Sequence, residues 1–266
     1  MRIKVLAFAV SLLLISNCWA GIPQSPTTTA SSPQAATLLA QSANALAGSI
    51  AVNDVTLTGT AEWIAGSDDE TGTAIFKGIH GSHRLDLTFR NGTRSEIVSN
   101  VNGDRSGAWS GPDGKINPIA NHNLVSEAGI FPAFTLHELI SLPNALLTYV
   151  GQETRDHATV IHLSASQQFP KLNGDPATLM QHLAQVEIFL DPTTFLPVSY
   201  LYNSHPDNDA RLDIPTEIRY SNYQNITGVQ IPLHIQKFMN GSLVLDLQFQ
   251  NTSLNSGVSI PQIIAQ

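Results

Sequence analysis

Residues 186–200 read VEIFLDPTTFLPVSY, and residues 216–249 read TEIRYSNYQNITGVQIPLHIQKFMNGSLVLDLQF. Every apolar run in these segments alternates with period two, and every break carries turn chemistry. This is the pattern of an antiparallel sheet with one dry face and one wet face. In the last hairpin, Ile231, Leu233 and Ile235 share one face, and Leu243, Leu245, Leu247 and Phe249 share the facing one. A two-residue Asn240-Gly241 loop sets Ile235 against Asp246. A three-residue loop, Met239-Asn240-Gly241, sets Ile235 against Leu245, Leu233 against Leu247 and Ile231 against Phe249. One residue of slip exchanges faces, so the apolar pattern selects the three-residue loop, with Gly241 in its left-handed position. In the earlier hairpin, Asp191-Pro192-Thr193-Thr194 marks the turn, because proline presets φ and aspartate accepts backbone N–H groups. A five-residue loop then aligns Leu190 with Leu196 and Ile188 with Val198. Ile218 and Tyr220 run between the hairpins, ahead of a bend at 225–228.

A strand ending in Asp-Pro-x-Thr-x-x-Pro (191–197), followed by IRYSNYQNITGVQIP (218–232), resembles the back half of periplasmic lipoprotein-sorting proteins of the LolA and LolB type. It resembles more closely still a broad group of secreted bacterial proteins that share their pattern. The likeness spans residues 187–235. It implies an incomplete barrel closed by helices, with lipid tails held inside.

The N-terminus reads as a signal peptide. Arg2 and Lys4 form the positive region, residues 5–15 the apolar core, and Cys18-Trp19-Ala20 a cleavage site before Gly21. The alternative is lipid attachment at Cys18, which calls for a small preceding residue and meets Asn17. Cleavage after Ala20 leaves no cysteine, so stability has to come from a core rather than from disulfides. Lys and Arg number 13 against 21 Asp and Glu, a net charge of −8, and loss of Arg2 and Lys4 makes it two units more negative. An acidic chain without a basic cluster argues against nucleic acid or anionic membrane surfaces as partners. No second long apolar run follows the leader, so no transmembrane span is expected. The expected location is the periplasm or the medium.

Residues 21–32 are rich in Pro, Ser and Thr and read as a flexible tether. Ser32-Pro33 then caps a helix with Leu39, Ala43 and Leu46 on one stripe and Gly48 at its end. Val55, Leu57, Gly59, Ala61 and Trp63 alternate with Thr and Glu in the clearest amphipathic strand. The acidic run 67–71 turns it, and 72–79 returns. Leu85, Leu87 and Phe89 share a face opposite Arg84, Asp86, Thr88 and Arg90. Asn91-Gly92 signals the next hairpin, and 93–101 pairs back. Residues 102–115 read as turns around Trp109. Ile130-Phe131-Pro132-Ala133-Phe134 leads into a short helix through Leu136, Leu139 and Ile140, ended by Pro143. Residues 146–152 and 157–164 form another hairpin, and 175–182 a helical turn. The sum is one mainly β domain, 33–266: a single curved antiparallel sheet of about ten or more strands forming an incomplete β-barrel, with helices on its concave face.

Chemistry-bearing patterns are sparse. There are nine histidines, but no His-Glu-x-x-His and no Gly-x-Ser-x-Gly. His80-Gly81-Ser82-His83 straddles a turn, and two ligands do not make a zinc site. The histidines therefore read as turn or surface residues. In His205-Pro-Asp-Asn-Asp-Ala-Arg-Leu-Asp213, Asp207 and Asp209 offer the oxygen ligands calcium takes. The spacing lacks the glycine and the distal glutamate of the known loop, so it reads as a solvated loop. No Gly-rich loop supports a phosphate or dinucleotide site.

The candidate ligand-binding residues are therefore apolar: Leu57, Trp63, Leu87, Phe89, Trp109, Phe131, Phe134, Leu136 and Leu139. They are either ordinary core or the walls of a pocket, with 131–140 as a lid. The resemblance implies the pocket. The leading expectation is a non-enzymatic carrier for a lipid or lipoprotein acyl chain, with no metal or cofactor. One alternative is a cell-envelope interaction scaffold with a filled core and a protein partner, and another is a hydrolase whose site the sequence does not disclose.

Overall fold

Thirteen strands form one antiparallel sheet in a computed structural model that describes residues 31–125 and 129–264. The leader (1–20) and residues 21–30 of the tether lie outside the described residues. The strands are β1 Asp54–Ala65, β2 Asp68–Ile79, β3 Ser82–Phe89, β4 Gly92–Val101, β5 Asp104–Ser110, β6 Ile116–Pro118, β7 Ala145–Arg155, β8 Ala158–Gln167, β9 Val186–Leu190, β10 Pro197–Ser204, β11 Ile214–Ile226, β12 Val229–Met239 and β13 Ser242–Leu254. The helices are α1 Pro33–Ala47, α2 Pro132–Ser141, α3 Asp175–Leu183 and α4 Ile260–Ile264. Among the described residues, no helix is long and apolar enough to cross a membrane.

The order is β6-β5-β4-β3-β2-β1-β13-β12-β11-β10-β9-β8-β7. Two meanders, β1–β6 and β7–β13, meet where β1 pairs with β13. The sheet does not close, and its edges are β6 and β7. The link between those edges has to cross from one side of the sheet to the other, and it carries α2. Helix α1 packs on α2, β12 and β7. Ser32 caps α1 by accepting from the Ala35 N–H (3.3 Å), with Pro33 in the first turn and Gly48 at the end. Small residues on its face allow close approach. Leu39 and Leu46 of α1 and Phe131 and Leu136 join one core with Ile188, Tyr200 and Ile231 of the sheet. The last residues of the expected tether also engage the β7 edge: Ser31 Oγ donates to the Ala145 carbonyl (2.8 Å), and the Ser32 N–H to that of Leu147 (2.7 Å). Such contacts blunt an open edge.

The core face runs in register across the sheet. Leu163 faces Ile188, which faces Tyr200, which faces Ile218. Across the other half, Ala61 faces Leu247, which faces Ile235. Where β1 meets β13, the register shifts at a bulge between Thr58 and Gly59. A Cβ on Gly59 would lie 2.1 Å from the Gln248 carbonyl oxygen, so only glycine permits this approach.

Several expected turns are corrected. The last hairpin has the two-residue loop, Asn240-Gly241, with φ of 47° and 77°, and Met239 faces Ser242. A bulge at Val244 then adds the residue that the loop lacks, so Ile235 faces Leu247 rather than Leu245. The apolar faces still meet, because the bulge restores the parity that the loop alone would break. A second bulge, at Val198, sets Leu190 against Pro197 and Ile188 against Tyr200 instead of Leu196 and Val198. Asp191 accepts from the Thr193 and Thr194 N–H groups at 2.9 and 2.7 Å. Burial raises its pKa, but these bonds and that of the Thr194 hydroxyl outweigh burial and hold it below the ordinary carboxylate value. The first turn is Gly66-Ser67, and the acidic run lies inside β2. The β3–β4 turn is Arg90-Asn91, one residue early. Trp109 sits in β5 rather than among turns. Three histidines expected at turns or the surface, His83, His162 and His205, are buried, each beside a carboxylate.

Candidate functional site

The concave face is filled at one end and hollow at the other. The hollow end holds a cavity of about 620 Å³, within the roughly 300–1,000 Å³ that accommodates a drug-sized ligand. Its deep walls are Leu85 and Leu87 of β3, Tyr202 of β10, Ile218 of β11, Ile235 of β12 and Leu245 and Leu247 of β13, all buried from bulk solvent. Ile130, ahead of α2, closes the bottom. Ala65, Gly66, Ser110, Met239 and Trp109, which is 49% exposed, form the rim.

One wall is polar. Arg94 and Glu96 of β4 face the interior because they pair with Leu87 and Leu85. The Arg94 guanidinium lies 5.1 Å from the centre of the Trp63 ring, and its Nη2 lies 3.4 Å from Glu70. Its Nε is buried and has no hydrogen-bond partner among the described residues. His83 Nε2 lies 3.6 Å from Glu96 Oε1. Lys237 of β12 enters from the opposite side. The space is therefore a hydrocarbon slot with charges gathered toward its mouth.

Tyr220 of β11 fixes the bottom. Its hydroxyl donates to the Gly129 carbonyl (2.9 Å), and the Gly129 N–H donates to Thr135 Oγ1 (3.2 Å). Burial pushes the Tyr220 phenol well above its ordinary pKa, with Tyr200 and Tyr223 adding to the shift. It is a neutral donor in any ordinary buffer.

Of the nine candidate residues, Trp63, Leu87 and Trp109 line the cavity. Leu57, Phe89, Phe131, Phe134 and Leu136 are buried in the packed part of the core, and Leu139 packs against it. The stretch 131–140 plugs the filled end. The residues that sequence reasoning passed over are Ile218, Ile235, Leu245 and Leu247, whose inward register was visible, and Arg94 and Glu96. Alternation along β4 places these two charges inside with Val98, a signal that hydrophobic-in reading discards. Away from the cavity, His182, His205 and Asp213 converge.

No family model matches the sequence, and no curated protein matches it. Solved structures do. A domain assigned to outer membrane lipoprotein sorting from Vibrio parahaemolyticus superposes with a TM-score of 0.55 at 10% identity, over 87% of this chain and 96% of that one. A DUF1329 family protein from Desulfovibrio piger gives 0.57 at 11% identity, over 88% and 98%. A LolA superfamily protein from Nitrosomonas europaea gives 0.49 at 12%, over 84% and 94%. At such identity the likeness concerns architecture, and the first two cover nearly the whole of both chains. The chain shares the fold of the Vibrio and Desulfovibrio structures, an incomplete barrel with helices in its concave face.

Proposed function

We propose that the protein is a non-enzymatic carrier, exported to the periplasm by its leader, that holds the acyl chain of a lipid or lipoprotein in the cavity of its curled sheet. The observation that carries the reading is the cavity itself: about 620 Å³, walled by aliphatic and aromatic side chains and open at one end. Few directed hydrogen bonds are available along its depth, which suits a hydrocarbon chain. Affinity then comes from burial, at about 0.8 kcal/mol per methylene. Arg94 and Lys237 near the mouth suit the polar or anionic end of the same ligand.

Native mass spectrometry with lipid extraction, on protein purified from the periplasm of an expression host, tests this. A stoichiometric co-purified lipid is the expected result. A bare mass, together with no binding of a fluorescent fatty acid, would overturn the proposal.

A further inference from the structure

The loop between β10 and β11 begins near His205 and ends at Asp213. Its acidic middle is used locally, with Asp209 Oδ1 accepting from the Arg211 N–H (2.9 Å). Its two ends come together with a third residue from α3. His182 Nε2 lies 2.8 Å from Asp213 Oδ1, and His205 Nε2 lies 3.2 Å from the same oxygen. One ligand atom from each of the three residues lies within 4.8 Å of the others.

The arrangement is built rather than incidental. The His205 side chain is 1% exposed. Its main chain is held from both sides by one amide: the His205 N–H donates to Asn123 Oδ1 (2.7 Å), and Asn123 Nδ2 donates to the His205 carbonyl (2.8 Å). His122 donates from Nε2 to the Pro206 carbonyl (3.1 Å) and meets the His205 ring edge-on. His205 is therefore fixed before any ligand arrives.

Two imidazoles can share one carboxylate oxygen by hydrogen bonding alone. His205 Nδ1 is buried with no partner among the described residues, so Nε2, which faces Asp213, is the ring atom free to serve as a ligand. A metal ion accounts for the convergence directly. Zinc bonds of about 2.0–2.2 Å in a tetrahedron set ligand atoms about 3.3 Å apart. The observed 2.8 and 3.2 Å to Asp213 lie close to this spacing, and the two imidazoles, within 4.8 Å of each other, would close on the ion by side-chain rotation. Two imidazoles and a carboxylate form a borderline-soft set of the zinc class. His182 and Asp213 are partly exposed, which leaves the fourth position to water. We propose that His182, His205 and Asp213 bind one divalent ion of the zinc class and thereby pin α3 to the β10–β11 loop.

The test is titration of Zn²⁺ into tag-free full-length protein against a chromogenic chelator, with Co²⁺ absorption as a second readout. Wild type is expected to bind one equivalent, to give the intense visible bands of four-coordinate Co²⁺, and to melt at a higher temperature with Zn²⁺. His182→Gln and Asp213→Asn should each weaken binding at least about tenfold and lose the Co²⁺ bands, and Asn123→Ala, which frees His205, should cost about tenfold. Substitution of the buried His205 would perturb folding as well as ligation, so the two exposed ligands are the ones to change. Less than one equivalent bound, or affinity unchanged in both His182→Gln and Asp213→Asn, overturns the site.

Discussion

The two ends of the concave face are made of the same kinds of residue and behave differently. At one end, Leu46 and Leu136 are fully buried and Phe131 is 1% exposed, and helix side chains fill the space above the sheet. At the other, Leu85, Leu245 and Ile218 point the same way and meet a cavity. The difference is the reach of the helices: α1 and α2 cover one end, and among the described residues of the link that carries α2, Gly129 and Ile130 line the other. A dry face is a property of each strand, but a hollow is a property of what lies opposite.

The largest expected effect separates the ends by stability. Leu136→Ala or Phe131→Ala should destabilise by about 2–5 kcal/mol, as large-to-small changes in packed cores do, read from urea unfolding. Leu245→Ala should cost clearly less, since its side chain already borders empty space. Equal losses at both positions would break the comparison. An aspartate at Phe131 would for the same reason test folding rather than binding.

Filling the hollow reverses the contrast. Leu245→Trp should leave stability nearly unchanged while reducing binding of a fluorescent fatty acid by about tenfold or more, equivalent to about 1.4 kcal/mol. An added ring at the packed end instead costs about 1–3 kcal/mol through overpacking. Retained binding in Leu245→Trp would mean that the acyl chain lies elsewhere.

Chain length sharpens the picture further. Each added methylene should improve affinity by about 0.8 kcal/mol, roughly fourfold, until the cavity is full, after which the gain should stop. A flat series in calorimetry would remove burial as the source of affinity.

The same contrast explains what the sequence disclosed. Alternation in β1, from Val55 to Trp63, named the inward residues correctly, as did the alternation of Ile235, Leu245 and Leu247. The bulges at Val198 and Val244 were hidden, because a bulge preserves the apolar pattern while changing the partners. Of the expected cavity residues, Phe131, Phe134, Leu136 and Leu139 lie at or in α2 and fill space, whereas Trp63, Leu87 and Trp109, on the sheet, line the cavity. Arg94 and Glu96 were hidden because charged inward positions run against the usual polarity of a strand. His205 and Asp213 end one loop, whereas His182 joins them from α3, so no local spacing brings all three together.

The smallest expected effect compares two neighbouring tyrosines. Tyr200 and Tyr220 stack edge to face with ring centres 5.3 Å apart, both deeply buried. The Tyr220 hydroxyl holds the Gly129 carbonyl at the floor of the cavity, whereas the Tyr200 hydroxyl has no partner among the described residues. Removing a satisfied buried hydroxyl forfeits a hydrogen bond and strands its acceptor, while removing an unsatisfied one relieves a desolvation cost. Tyr220→Phe should therefore destabilise by about 1 kcal/mol and loosen acyl binding, since Gly129 and Ile130 lose their anchor. Tyr200→Phe should be neutral or stabilising by up to about 1 kcal/mol, with binding unchanged. Paired urea titrations check both. If Tyr200→Phe proves the more damaging of the two, the hydroxyl is bonded after all, and the filled end has a polar anchor of its own.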